Sequence, residues 1–258
     1  MANQLSCSYK AGVKQKESSI VKISEIINQI KSGHFLNEVQ AIQSSSSIVN
    51  DEIVKSLKLQ LPVFYPTLVS LDTLFPTGII QFDIDAKSNP DLDVEFLALS
   101  INQLPSTYYS FKSPNHGLKF GILTDFVNRP HEASEYLKER FKFTYDYVSD
   151  LLLDIESIPN FNADSAVRSI KQACYVSYDS NAYFNELAVP LRVNDESLSC
   201  LPNKLINSTI NTHSNDKNAL LGDAANIQEL LNWIPRDFEY ADRRAINYAV
   251  CSGWFSRN

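Results

Sequence analysis

Glycine is scarce in this sequence: 7 of its 258 residues are glycine, about 3% against an average near 7%. This shortage excludes collagen-like repeats, glycine-rich linkers and glycine-rich phosphate-binding loops. Basic residues are also outnumbered, because 23 lysines and arginines stand against 30 aspartates and glutamates and leave a net charge of −7. A chain of this charge does not hold DNA by bulk attraction alone, so any nucleic acid must bind at local sites.

Cysteines and long apolar runs are also few. The four cysteines (Cys7, Cys174, Cys200 and Cys251) form no C-x-x-C pair, which argues against a zinc ribbon and a small disulfide scaffold. No window approaches the roughly 18 apolar residues of a membrane span, and the first 21 residues lack the apolar core of a signal peptide. We expect a soluble cytoplasmic protein that has packing thiols and no membrane partner.

The apolar spacing predicts both helices and strands. Helices are expected where apolar residues recur every three or four positions, at 19–31 (ended by Gly33), 50–59 after a serine run, 93–103 and 131–155. Strands are expected where apolar and polar residues alternate, at 79–85, at 107–113 and 117–123 (a hairpin), and at 173–179. The order predicts an α+β fold around a small, mainly antiparallel sheet.

The composition also predicts domain limits. Residues 1–195 form the main domain, with an N-terminal αβ part (1–75) and a second part (76–195). A stretch rich in Asn, Ser and Thr (196–218) predicts a linker. Residues 219–258 predict a small helical C-terminal domain, in which Trp233 and Trp254 fill the core.

Three carboxylates are candidates for metal chemistry. Asp83 and Asp85 are two apart on one predicted strand, so their side chains share a face, and Asp179 ends another predicted strand. Clustered carboxylates favour bound cations, and Mg²⁺ and Mn²⁺ prefer oxygen ligands. The alternative for an isolated D-x-D is that it caps a turn.

The predicted hairpin could hold phosphate. Its turn carries a hydroxyl (Ser113), an imidazole (His116) and a lysine (Lys119), which suit a phosphate chain. A common polar hairpin without ligand is the alternative.

In chain order, Gly78–Asp85, Ser113–Lys119 and Tyr175–Asp179 resemble the three motifs of the archaeo-eukaryotic primase (primase-polymerase) superfamily. Within it, the sequence is similar to the subfamily found in front of virulence-associated-E-like helicases of phages and mobile elements. The resemblance covers roughly residues 20–192. Two positions depart from the pattern: His116 stands where glycine is usual, and Gln172 where arginine is usual.

The resemblance implies an RRM-like catalytic core and a two-metal nucleotidyltransferase, using two Mg²⁺ or Mn²⁺ ions. Asp83, Asp85 and Asp179 would be the catalytic metal ligands. Residues implied in nucleotide binding are Ser113, His116, Lys119, Arg168, Lys171 and Asn185, with Tyr183 as a weaker candidate. The partners would be a single-stranded DNA template, NTP or dNTP, and a replicative helicase.

Three hypotheses remain open at this point. The first is a DNA-dependent primase-polymerase that makes short primers in phage, plasmid or mobile-element replication. The second is a catalytically weak or inactive nucleotide- or single-strand-binding replication module that works with a helicase. The third is a metal-dependent nuclease, which would use the same carboxylates.

Overall fold

The computed structural model describes residues 4–46, 51–70, 73–127 and 134–193. Its strands are β1 (Ser6–Lys10), β2 (Ser19–Lys22), β3 (Val63–Tyr65), β4 (Thr67–Ser70), β5 (Thr73–Pro76), β6 (Ile79–Ile84), β7 (Thr107–Lys112), β8 (Leu118–Leu123), β9 (Cys174–Tyr175) and β10 (Tyr183–Phe184). Its helices are α1 (Ile23–Ser32), α2 (Leu36–Ser46), α3 (Asp51–Lys58), α4 (Val94–Asn102) and α5 (Ser134–Leu153). The predicted linker and C-terminal helical domain lie outside the described residues.

Two four-stranded antiparallel sheets organise the described chain. The N-terminal sheet has the order β2-β1-β3-β9, and the central sheet has the order β10-β7-β8-β6. Strands β4 and β5 form a separate hairpin. The α+β class with mainly antiparallel pairing is confirmed, but two sheets replace the single small sheet that the pattern predicted.

The central sheet is covered on both faces, because its strands carry large apolar residues on each side. Ile79, Tyr109 and Phe111 share one core with α1 and the inner face of the N-terminal sheet. Phe82 and Phe120 belong to a second core with α4 and α5. The face that carries Asp83 is therefore turned toward the N-terminal sheet.

The first predicted helix begins later than expected. Residues 19–22 form β2, which pairs with β1, so α1 starts at Ile23. Ile20, which fits the helical spacing, is instead 67% exposed on that strand. The predicted stop is confirmed, since Gly33 adopts a left-handed conformation (φ 83°) at the helix end.

The composition predicted that the serine run opens the second helix, and this prediction is wrong. It ends α2, where the Ser45 and Ser46 hydroxyls donate to the carbonyls of Ala41 and Ile42 one turn back. Helix α3 follows and confirms most of the predicted helix at 50–59.

The middle of the chain follows its pattern closely. Strand β6, helix α4 and the β7–β8 hairpin match their predicted ranges within two residues at each end. The region 131–155 forms one helix, α5, within the described residues. None of the described helices is long and apolar enough to cross a membrane.

The strand predicted at 173–179 is wrong beyond its first residues. Only Cys174 and Tyr175 pair, and their partner is β3 of the N-terminal sheet. The following backbone amides of Val176 and Asp179 donate to the carbonyls of Pro62 and Ile30. Residues 174–179 therefore bind the N-terminal part of the fold and add no strand to the central sheet.

Gly78 precedes β6 and cannot be replaced without strain. Its φ is 84°, and a Cβ there would lie 2.6 Å from the Thr124 carbonyl oxygen. We expect Gly78→Ala to lower the free energy of unfolding by about 2 kcal/mol or more, measured by urea denaturation. Gly12→Ala is the matched control, because the nearest atoms to its Cβ would be 3.9 Å away. Equal losses in both variants would contradict the expectation.

Candidate functional site

Asp83 and Lys119 form the centre of the candidate site. The register of β6 and β8 places them directly opposite each other, so both side chains point to the same face. The Lys119 ammonium donates to the Asp83 carboxylate in an ion pair. The lysine side chain is 7% exposed and the aspartate side chain 26% exposed. The sequence predicted both residues for the site but not their pairing.

Burial and charge act on Lys119 in opposite directions. Burial alone would lower the pKa of this lysine, but Asp83, with Cys174 and Asp164 in support, raises the pKa above its ordinary value. Lys119 therefore stays a cation inside the protein at neutral pH. Of the two charged groups, the Asp83 carboxylate is the one more exposed to solvent.

Asp85 lies just past the end of β6 and is half-buried. Its carboxylate accepts a hydrogen bond from the Lys87 amide at 3.1 Å and so caps a short 3-10 helix, Ala86–Ser88. This capping role was the alternative considered for the D-x-D. It occupies one oxygen, which leaves the carboxylate's second oxygen able to bind a cation.

Lys58, the last residue of α3, is a site residue that the sequence reasoning missed. Burial lowers the pKa of Lys58, Lys119 lowers it further, and Asp85 and Asp83 oppose the shift. The half-buried Lys58 therefore lies within electrostatic range of both carboxylates and the buried lysine. No sequence pattern could have found it, because α3 comes from a different layer of the fold.

Asp164 is a second residue that sequence reasoning missed. Its amide donates to the Asp83 carbonyl at 2.9 Å, along the edge of β6 that β8 does not use. The buried side chain of Asn89 fixes this segment, because it donates to the Asp85 and Asn162 carbonyls (both 2.9 Å) and accepts from the Asn162 amide (2.7 Å). The exposed Asp164 carboxylate accepts from the Ala166 amide at 2.9 Å and caps a 3-10 helix, Ser165–Arg168, and its charge helps to raise the pKa of Lys119.

Asp179 is not brought to Asp83 and Asp85. Its two carboxylate oxygens accept from the amides of Lys112 (2.8 Å) and Asn181 (2.9 Å). Lys112 is the last residue of β7, and β8 lies between β7 and β6. The strand that carries Lys112 is therefore roughly 10 Å from the strand that carries Asp83. Asp179 is thus held beside β7, two strands away from Asp83 on β6.

The donor chemistry nevertheless fits a hard divalent cation at one place. Asp83 and Asp85 carry carboxylates two residues apart at the end of β6, and carboxylate oxygens are the ligands that such cations prefer. Within the described ranges, no group of three His, Cys, Asp or Glu side chains is arranged closely enough to hold a metal ion. Binding would thus require side-chain movement, foremost of the Asp83 carboxylate away from Lys119.

The hairpin turn lies against the end of β6. The Ser113 hydroxyl accepts from the Gly117 amide at 3.0 Å, so it closes the turn. A Cβ at Gly117 would collide with the Ile84 carbonyl oxygen. His116 is exposed and takes a left-handed conformation (φ 64°) in the position where the resembled motif has glycine. The turn therefore sits beside Asp85, with Ser113 engaged in its own backbone.

The other predicted nucleotide-binding residues are spread out. Arg168 pairs with Asp146 of α5, and Lys171 is exposed. The Asn185 side chain accepts from the Leu187 amide at 3.0 Å. Asn185 and Tyr183 lie at or beyond β10, the edge strand farthest from β6. The structure does not bring Asn185 or Tyr183 to Asp83.

Two thiols lie behind the site. Cys7 and Cys174 are buried and unbonded to each other, as the packing role predicted. Burial raises the pKa of each thiol to about 12. Both are therefore neutral at physiological pH, and neither has the thiolate character of a reactive cysteine. Cys200 and Cys251 lie outside the described residues.

Comparison with known proteins gives one match. Residues 58–184 match the family model described as "BT4734-like, N-terminal domain". The chain is similar to that family over a range that begins at Lys58 and includes Asp83, Asp85, Lys119, Asp164 and Asp179. No curated protein and no solved structure matches the chain.

Proposed function

We propose that this protein is a primase-polymerase, a nucleotidyltransferase that makes short primers on single-stranded DNA in the replication of a phage, plasmid or mobile element. The observation that carries the proposal is the Asp83–Lys119 ion pair, with Asp85 two residues after Asp83 and Lys58 within electrostatic range of both carboxylates. Nucleotidyl transfer requires carboxylates that bind the metal cations and positive groups, such as lysines, that bind the triphosphate. We also propose that the central sheet is the RRM-like catalytic sheet of a primase-polymerase.

The residues divide the work by their chemistry. Asp83 and Asp85 would hold Mg²⁺ or Mn²⁺, which when bound polarises the α-phosphate and lowers the pKa of the attacking hydroxyl. Lys119 and Lys58 would meet the negative charge of the triphosphate, each as a point charge. Ser113 and Gly117 keep the hairpin turn in place beside them. Asp179, through the Lys112 amide, would position the end of β7.

A cytoplasmic setting, NTP or dNTP as substrate and a replicative helicase as partner complete the proposal. The order of the three sequence motifs supports the substrate and the helicase partner.

A second function is favoured by one observation. Both oxygens of Asp179 are bound to backbone amides, and Asp83 is paired with Lys119. This arrangement suits a module that binds nucleotide or single-stranded DNA for a helicase without catalysing transfer.

An incorporation assay separates the two functions. The purified chain is incubated with Mn²⁺ or Mg²⁺, a single-stranded template and labelled nucleotides, with EDTA as control. The primase proposal expects metal-dependent labelled primers made without a starting primer. Nucleotide binding without any product would support the binding module, and degradation of the template would support the nuclease.

A further inference from the structure

One face of the N-terminal sheet carries an aromatic and basic surface that the proposed function has not used. The registers pair Lys10 with Val63 and Val63 with Tyr175, so these three residues share a face. Tyr65, two residues after Val63, points to the same face. We call Lys10, Tyr65 and Tyr175 the tyrosine face; the opposite face of the same strands carries Phe64 and Cys174 into the core.

The Tyr65 ring is partly exposed and close to a cation, and the Tyr175 ring is partly exposed and packs against the edge of the core. Tyr65 and Tyr175 are each half-buried, and Val63 between them is completely buried. The Lys10 ammonium lies 5.8 Å from the centre of the Tyr65 ring. Two neighbouring tyrosines with a lysine at their edge are the elements that stack bases and hold phosphates of single strands.

The segment that carries Lys10 has a net charge opposite to that of the whole chain. Residues 4–22 contain four lysines (Lys10, Lys14, Lys16 and Lys22) and one acid (Glu17), a net charge of +3, whereas the chain as a whole has −7. Lys14 and Lys16 are exposed in the loop that leaves β1 directly after Lys10. The surface therefore offers the local positive site that an acidic chain needs for a polyanion.

The tyrosine face approaches the end of α3 through the loop that follows β1. A Cβ at Gly12, in the same loop, would lie 3.9 Å from the carbonyl oxygens of Leu59 and Gln60, the two residues after Lys58. On the other side, Tyr175 lies within electrostatic range of Lys119. A strand bound across the tyrosines would thus lead toward the end of α3 and Lys58.

We propose that the tyrosine face binds single-stranded DNA, with bases stacked on Tyr65 and Tyr175 and phosphates held by Lys10, Lys14 and Lys16. Its role as the template surface rests on the proposed primase function. The binding itself requires neither metal nor nucleotide.

Fluorescence anisotropy of a labelled oligodeoxythymidine tests the proposal on the full chain, in EDTA and without nucleotide. Tyr65→Leu and Tyr175→Leu keep apolar bulk over Val63 but remove the rings, and we expect each to weaken binding roughly 5- to 150-fold. Tyr65→Phe and Tyr175→Phe keep the rings and should bind within about twofold of wild type. Lys10→Gln should also reduce the slope of log affinity against log salt concentration by about 1.

Matched controls come from α5. Tyr136→Leu removes a half-buried tyrosine, and Lys142→Gln an exposed lysine, both from α5 on the central sheet's other side; neither should change binding. Wild-type affinity in both Leu variants, or equal weakening by the Phe variants, would overturn the proposal. An RNA strand or a duplex that binds more tightly than the DNA strand would overturn its choice of ligand. Failure of primer synthesis with tyrosine-dependent DNA binding intact would count against the proposed function alone.

Discussion

Asp83→Ala is expected to lower the free energy of unfolding by about 3–5 kcal/mol, because it leaves Lys119 charged and without its partner in the interior. Lys119 is 6% exposed as a residue and has no route to solvent comparable with that of Asp83. Urea denaturation followed by circular dichroism measures the loss. The large value follows from the buried member of the pair, which must either stay charged or release its proton.

The reverse substitution should cost much less. In Lys119→Met, the remaining Asp83 carboxylate keeps 26% of its side-chain surface in contact with water, and methionine replaces most of the lysine's volume. We expect less than half the loss of Asp83→Ala. The double variant should be more stable than Asp83→Ala alone, because the second change removes the uncompensated charge. If the losses of unfolding free energy in the double variant were additive, the Asp83–Lys119 ion pair would contribute no coupling free energy to stability.

The pH dependence of this contribution has a definite sign. The pKa of Lys119 is raised in the folded protein relative to an ordinary lysine. A raised lysine pKa contributes stability that is fully present below the ordinary value of 10.5 and is lost as pH rises through the folded value. The difference between wild type and Lys119→Met should therefore be constant around neutrality and shrink only in strongly alkaline solution.

Asp85→Ala is expected to reduce nucleotide incorporation by about 10³-fold or more while leaving the fold intact. A metal ligand supplies several kcal/mol of transition-state stabilisation, and 4 kcal/mol corresponds to roughly that factor. Structurally, Asp85 only caps a three-residue helix through the Lys87 amide, so the expected stability loss is about 1 kcal/mol. Asp85 is therefore a cleaner test of the chemistry than Asp83, whose loss also destabilises the interior.

Asp91→Ala serves as the control, since Asp91 is exposed six residues further along the chain. Primer synthesis by gel assay and manganese binding by electron paramagnetic resonance are measured on the same samples. Undiminished incorporation in Asp85→Ala would remove Asp85 from the proposed metal site. The same assays on Asp164→Asn and Asp179→Asn show which of these two carboxylates supports the first pair.

The core of the site could be predicted from local pattern. Alternation in 79–85 and 117–123 gives the two strands that carry Asp83 and Lys119, so both residues follow from local spacing, whereas the pairing of β6 with β8 that joins them does not. Helix α1 could be predicted for the same reason, except that Ile20 satisfies the helical period while pairing in β2. A strand partner elsewhere in the chain decides such a position.

The rest of the site depends on contacts between distant segments. Lys58 lies within electrostatic range of the carboxylates only because α3 packs against them from another layer. Asp164 reaches β6 only because the Asn89 side chain binds Asn162, 73 positions further along the sequence. Asp179 has the residue type and position that the motif predicts, yet the amides of Lys112 and Asn181 hold it beside β7. Residue type and order along the chain do not contain these distances.

The short strand β9 has a consequence for how the chain folds during synthesis. The N-terminal sheet takes its fourth strand from Cys174 and Tyr175, which pair with Val63 and Phe64. About 110 residues separate these partners, and at ribosomal rates their synthesis takes roughly 5–20 seconds. During that interval the edge of β3 is unpaired on a nascent chain, open to wrong partners or to a chaperone. The first layer of the protein is thus completed among its last described segments.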